Sequence, residues 1–263
     1  MRTVATKIEP TPELFQFKVS HFNEKARWAL DFKGIEHVRH SLLPGPQKSK
    51  MQKLSGQQQT PVLRCGDDVV AGSAAIIDYL ERRFPEPRLY PRDDATLRRA
   101  ISVQARFDDE VGPAIRLAMF HDLLLDPAYF VSMFTSGQPL LARVGYRAIF
   151  PIVSILMVRQ MKITTENAEA ARATTRRGLD FVVEESRETG YLAGDSFSVA
   201  DLAAASLLAP AVEMDPSPFG YPKPFCSRLR AWWDSWRDHP GTEWVRSMYE
   251  RHRGVSREIS VAA

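Results

Sequence analysis

The sequence predicts a small α/β domain followed by an all-helical one, and three observations carry that reading. Over residues 13–86, apolar runs of strand length alternate with helical patterns. Residues 85–91 then place three prolines in seven positions, a semi-rigid linker. Beyond the linker, over residues 93–255, helical periodicity is the one apolar pattern left.

The elements follow in order. Residues 14–19 read as a strand, and apolar residues then recur at helical spacing as Phe22, Ala26, Ala29 and Leu30, up to a stop at Lys33-Gly34. Residues 35–42 are a second strand candidate. Two short runs around Gly66-Asp67-Asp68 read as a hairpin, with Pro61 tolerated at the start of its first strand. Ile76, Ile77, Leu80 and Phe84 mark one face of a helix opening at Ser73. Past the linker, residues 97–118 form a long helix with a bend expected at Pro113. Residues 126–164 are apolar and interrupted by Gly137, Pro139, Gly145 and Pro151; for 140–161 a buried helix is expected, ahead of a pocket wall or subunit contact, and then membrane association. A helix over 166–189 follows. Ser198 and Asp201 form a capping box for the next one, and Trp232, Trp233 and Trp236 mark a late core helix.

Composition narrows the function classes. The 263 residues are 44% hydrophobic and 25% charged, and a formal charge of +3 with arginines interspersed among acids is no nucleic-acid footprint. Two cysteines far apart suit a reducing, cytoplasmic setting, and the first 12 residues have no apolar core of a signal peptide. The longest strongly apolar uncharged stretch, 148–158, falls well short of the ~20 residues of a membrane span, so no transmembrane segment is expected. No metal is expected either: His37 and His40 fall on opposite faces of a strand.

The candidate site starts at Ser20, a hydroxyl at a strand-to-helix turn. Backbone N–H groups there lack helical partners and favour an anion such as a carboxylate, phosphate or thiolate. Ser20 is equally placed to be a plain N-cap, and Asn23 is an alternative for its role.

Four local patterns, taken in this order, resemble the cytosolic glutathione S-transferase superfamily. Ser20-His21-Phe22-Asn23-Glu24-Lys25-Ala26-Arg27 is similar to the family's first strand–helix signature, with Ser20 at the thiol-activating position. Gln59-Thr60-Pro61-Val62-Leu63 is similar to its cis-proline segment, Ser73-Ala74-Ala75-Ile76 to the helix start that holds the γ-glutamyl carboxylate, and Phe197-Ser198-Val199-Ala200-Asp201 to its N-capping motif. Gly72 departs from the family, which usually carries an acidic residue or glutamine there. The resemblance implies a thioredoxin-like N-terminal domain, an all-α C-terminal domain, and Ser20 as the catalytic residue. It implies glutathione or a related thiol held by Gln59, Thr60, Pro61 and Ser73, and a small hydrophobic electrophile in a homodimeric cytoplasmic enzyme. A non-catalytic binding or scaffold member and a thiol–disulfide reductase are the alternatives; the latter chemistry needs a cysteine where Ser20 or Asn23 stands.

Overall fold

The computed structural model describes residues 8–260. Strands β1 (Glu13–Gln16), β2 (Val38–Ser41), β3 (Val62–Cys65) and β4 (Asp68–Ala71) form one sheet in the order β2-β1-β3-β4. β2 is parallel to β1, whereas β3 is antiparallel to β1 and β4 to β3. Leu14 and Leu63 pair across the ladder and join a core with α1 (His21–Phe32) and α3 (Ser73–Arg83). Phe15 and Val62, one residue along each strand, point to the opposite face and meet Met51 of α2 (Gln47–Ser55). Side-chain alternation along the strands thus covers the sheet on both faces, the thioredoxin-like arrangement.

The second half is helical: α4 (Asp94–Arg106), α5 (Gly112–Leu123), α6 (Pro127–Thr135), α7 (Leu140–Met161), α8 (Thr165–Glu185), α9 (Val199–Leu208), α10 (Ser227–Asp234) and α11 (Pro240–His252). Helix α9 is buried along its whole length, and its start carries the capping box read from Ser198 and Asp201. Trp232, Trp233 and Trp236 are core residues.

Several boundaries differ from the sequence reading. The first helix begins at His21, directly after the Ser20 cap, and the second strand shrinks to Val38–Ser41. The long helix is interrupted before Pro113 by a π-helical turn, Phe107–Val111, so Pro113 lies in the first turn of α5, where a missing N–H costs nothing. The expectation of a buried helix over 140–161 is overturned. Helix α7 buries Tyr146 and Phe150 and leaves most of its length exposed. It also runs to 22 residues, twice its uncharged centre, because Arg143, Arg147 and Arg159 lie within it. By length and composition alone it is the one helix among the described residues that reaches the requirement for crossing a membrane.

Helix α1 is buried on its polar side as well as its apolar side, because the helical half closes over it. Lys25 pairs with Asp108 at 2.6 Å, Glu24 with Arg27 at 2.7 Å and with Arg253 at 2.6 Å, and Asp31 with Arg39 at 2.8 Å and Arg253 at 2.9 Å. Two buried histidines sit in the same region. The ring Nε2 of His21 donates to Gly112 O (2.8 Å), while His37 accepts from Arg39 Nε at 2.9 Å and donates through Nδ1 to Ile35 O. Burial first, then the neighbouring Arg116, lowers His21 to about 3. Burial, then Arg39, lowers His37 to about 4. Between these values and the unfolded value near 6.5 the unfolded chain binds more protons, so stability falls as pH drops through that window. Each histidine is expected to cost on the order of 2 kcal/mol at pH 5 relative to pH 8. Urea midpoints measured at the two pH values check this, and an unchanged midpoint would contradict it.

Candidate active site

The site is built on the turn between β1 and α1. Ser20 N donates to Phe17 O (3.1 Å), closing the turn, and the extended backbone of Ser20 sets it as the N-cap of α1. Its Oγ accepts from Asn23 N at 3.4 Å, a long bond that leaves the hydroxyl proton available to a further acceptor. Asn23 is fully buried and its Nδ2 donates to Thr60 Oγ1 (3.3 Å), which fastens the first turn of α1 to the loop before β3. Asn23 Oδ1 has no partner among the described residues.

The Thr60–Pro61 peptide is cis. Pro61 O accepts from Gly72 N at 2.9 Å, so the residue before α3 is held against the same loop. Ser73, 6% exposed, then opens α3 at that junction. Gly72 has φ +95°, a backbone conformation L side chains rarely adopt, while open space surrounds the position of its missing Cβ. Backbone geometry rather than crowding therefore accounts for a glycine there. Gln59 is exposed at the end of this chain of contacts, and no side-chain hydrogen bond fixes it among the described residues. Ser20, Thr60, Pro61 and Ser73 are thus linked through three hydrogen bonds, two made by Asn23 and one by Gly72, whereas the Gln59 side chain makes none among the described residues.

Phe17, in the segment leading to the turn, joins an aromatic cluster that the sequence pattern did not announce. Phe17 meets Phe134 of α6 edge-on (6.3 Å), and Phe134 meets Phe120 of α5 and Phe130. Arg116, one turn after Gly112 on α5, was missed as well. Its guanidinium lies 5.7 Å from the Phe22 ring, makes no ion pair among the described residues, and leaves Nε buried without a partner. Burial lowers its pKa, and no carboxylate opposes that. A single arginine in a helical pattern reads as solvated, so the sequence carried no signal for it. Among the described residues no cluster of His, Cys, Asp and Glu side chains is suited to a metal ion.

This geometry agrees with independent matches. The family model described as the glutathione S-transferase N-terminal domain matches residues 14–88, and the C-terminal domain model matches residues 146–240. The chain belongs to the glutathione S-transferase superfamily. Over 105 residues it is 36% identical to "Glutathione S-transferase Z1" of Arabidopsis thaliana, covering 39% of this chain and 47% of that protein. A "Maleylpyruvate isomerase" of a Ralstonia species is 33% identical over 32% of this chain and 40% of its own length. Matches of this kind span about half the length of the curated relatives or less. A crystal structure of a glutathione S-transferase from Rhodospirillum rubrum F11 superimposes with a TM-score of 0.63 at 19% identity, over 92% of this chain and 90% of that one, which shows the shared fold.

Proposed function

We propose that this superfamily member is a glutathione-dependent transferase that joins the thiolate of glutathione, or of a related thiol, to a small hydrophobic electrophile. The observation that carries the reading is the linkage of Ser20 to Thr60 through Asn23, and of Pro61 to Gly72–Ser73, around one helix N-terminus. In this reading Ser20 Oγ–H donates to the sulfur while the α1 N-terminus adds its partial charge. Thr60 pairs main-chain groups with the cysteinyl unit beside Pro61, Ser73 receives the γ-glutamyl carboxylate at the start of α3, and Gln59 reaches a terminal carboxylate. The sulfur–carbon bond forms as the leaving group departs with its electron pair, or as a proton adds to the neighbouring carbon. The Phe17–Phe120–Phe134 wall receives the apolar part of the electrophile. We place the enzyme in the cytoplasm as a homodimer, by analogy with the family.

Glutathione at about 100 times its Kd is expected to raise the folding free energy by about 2.7 kcal/mol, read as a higher Tm. No shift with glutathione or any other low-molecular-weight thiol would favour a scaffold role instead. Ser73→Ala is expected to raise KM for glutathione about tenfold with kcat little changed, since it removes a contact made equally in ground and transition states.

Arg116 favours a second reading within the same chemistry. A cation 5.7 Å from the Phe22 ring, without an ion pair among the described residues, suits an electrophile that carries a carboxylate, and maleylpyruvate isomerase is the name of one relative. The thiolate would then add to a carbon–carbon double bond and leave again after rotation, so that glutathione is not consumed. Arg116→Met is expected to lower kcat/KM for an unsaturated carboxylic acid by ~30-fold or more and to leave a neutral aromatic electrophile unaffected. Equal losses on both substrates would exclude carboxylate recognition by Arg116.

A further inference from the structure

The exposed face of α7 is the largest feature that the proposed reaction leaves unused. At about 100° per residue, Leu140, Val144, Ile155, Leu141, Ile152 and Leu156 fall within an arc of about 160°. All are exposed, Leu141 at 85%, Leu140 at 73% and Ile152 at 66%. The opposite arc carries Tyr146 and Phe150, which hold the helix to the body of the protein; Phe150 meets Phe130 at 5.6 Å. Gln138 Nε2 donates to Ser41 O (2.9 Å) just before the helix, and Lys48 Nζ reaches Gln160 Oε1 at 3.5 Å near its end. The apolar face is therefore presented outward by a helix fixed at both ends and along its back.

Charge selects the occupant. From residue 127 to residue 165 the chain has no aspartate or glutamate, while Arg143, Arg147, Arg159 and Lys162 lie on or next to α7. The neighbouring α2 adds Lys48, Lys50 and Lys53, within a second stretch, 37–66, that also lacks acids. Nine cations fall in these two stretches in a chain of net charge +3, so the remainder of the chain is net negative. Two copies packed through this face about a two-fold axis would bring the same cations together with no carboxylate to neutralise them. A surface that is apolar in depth and anionic at its boundary matches both properties at once.

We propose that α7 docks the protein onto anionic lipid bilayers, lying in the headgroup region with its apolar arc down and the α2 and α7 cations against lipid phosphates. The helix, about 33 Å long, lies along the surface rather than crossing, because crossing would tear Tyr146 and Phe150 out of the core.

The test is co-sedimentation of the full-length protein with phosphatidylcholine vesicles, with and without about one-third phosphatidylglycerol. The protein is expected to pellet with the anionic vesicles, and less so as salt rises from about 0.05 M to about 0.5 M. The L141E/I152E/L156E variant is expected to lose binding altogether. The R143Q/R147Q/R159Q variant is expected to lose roughly fivefold per cation, about 100-fold in all. Both variants should keep the wild-type circular dichroism spectrum, because every substituted side chain is exposed. Three results overturn the proposal: no pelleting with either vesicle, equal pelleting with neutral vesicles, or binding retained by the glutamate variant. Light scattering that shows a dimer broken by the glutamate variant, without vesicle binding, gives the face to a second copy and overturns it too.

Discussion

Ser20→Ala is expected to lower kcat for thiol conjugation by roughly 10²-fold, about 2.7 kcal/mol, with little change in the binding of glutathione. The size follows from where the hydroxyl stands. Its oxygen already accepts from Asn23 N, so its one proton is the group left to meet a sulfur anion at the helix start. A hydrogen bond to a charged acceptor is roughly twice as strong as a neutral one, and the thiol itself binds through other groups. Without that donor the bound thiol is expected to keep its proton to higher pH, so the variant's rate should recover in part as pH rises. The cap itself costs only about 1 kcal/mol of stability, which a melting curve separates from the kinetic loss. A kcat unchanged by Ser20→Ala would move the role to Asn23, whose buried Nδ2 lies one helical turn on.

Asp31→Ala is expected to destabilise the protein by about 3 kcal/mol, through the loss of a carboxylate shared by two arginines. Asp31 accepts from Arg39 Nη2 at 2.8 Å, from Arg257 N at 2.7 Å, and pairs with Arg253 at 2.9 Å. Removing it leaves Arg39 with Glu258, at 3.5 Å, as its remaining carboxylate, while Arg253 keeps Glu24, which holds the loss to the lower end of the range for a broken buried pair. Burial alone would raise the Asp31 carboxyl, but Arg253 and then Arg39 outweigh it and leave the pKa below the usual carboxylate range. A carboxylate with a depressed folded pKa stabilises above the unfolded value, near pH 3.9, and that contribution is lost as pH falls through the folded pKa. The Ala variant is therefore expected to show its full deficit at pH 7 and a smaller one at pH 3. A urea series at both values measures it, and equal deficits would place the loss in packing instead of charge.

The parts of the site that rest on local rules were legible. A serine at a strand-to-helix turn, a proline opening a strand and the Ser198–Asp201 box each follow from bonds within a few residues, and the structure has them where the sequence indicated. What could not be read depends on packing between distant elements. Gly112 permits the Phe22 ring to lie against α5, since a Cβ there would meet Phe22 Cζ at 2.8 Å, and nothing near either residue announces the contact. Arg116 gains its meaning from the same approach. Helix α7 shows the harder limit: Leu, Ile and Val at that density fit a buried helix and an exposed one equally, and only the three-dimensional neighbours distinguish them. The positive φ at Gly72 gives a backbone reason for a residue that motif comparison alone marks as a departure.

The C-terminal end of the described chain folds back onto the thioredoxin-like half: Ile259 N donates to His37 O at 2.9 Å, and Arg253 reaches Glu24 across 229 positions. During synthesis at about 5–20 residues per second, Glu24 and Asp31 leave the ribosome on the order of ten to fifty seconds before the arginine that neutralises both of them. The thioredoxin-like half thus waits, with two carboxylates destined for burial still facing water, until the last helix arrives. Completion of the first domain is gated by translation of the second.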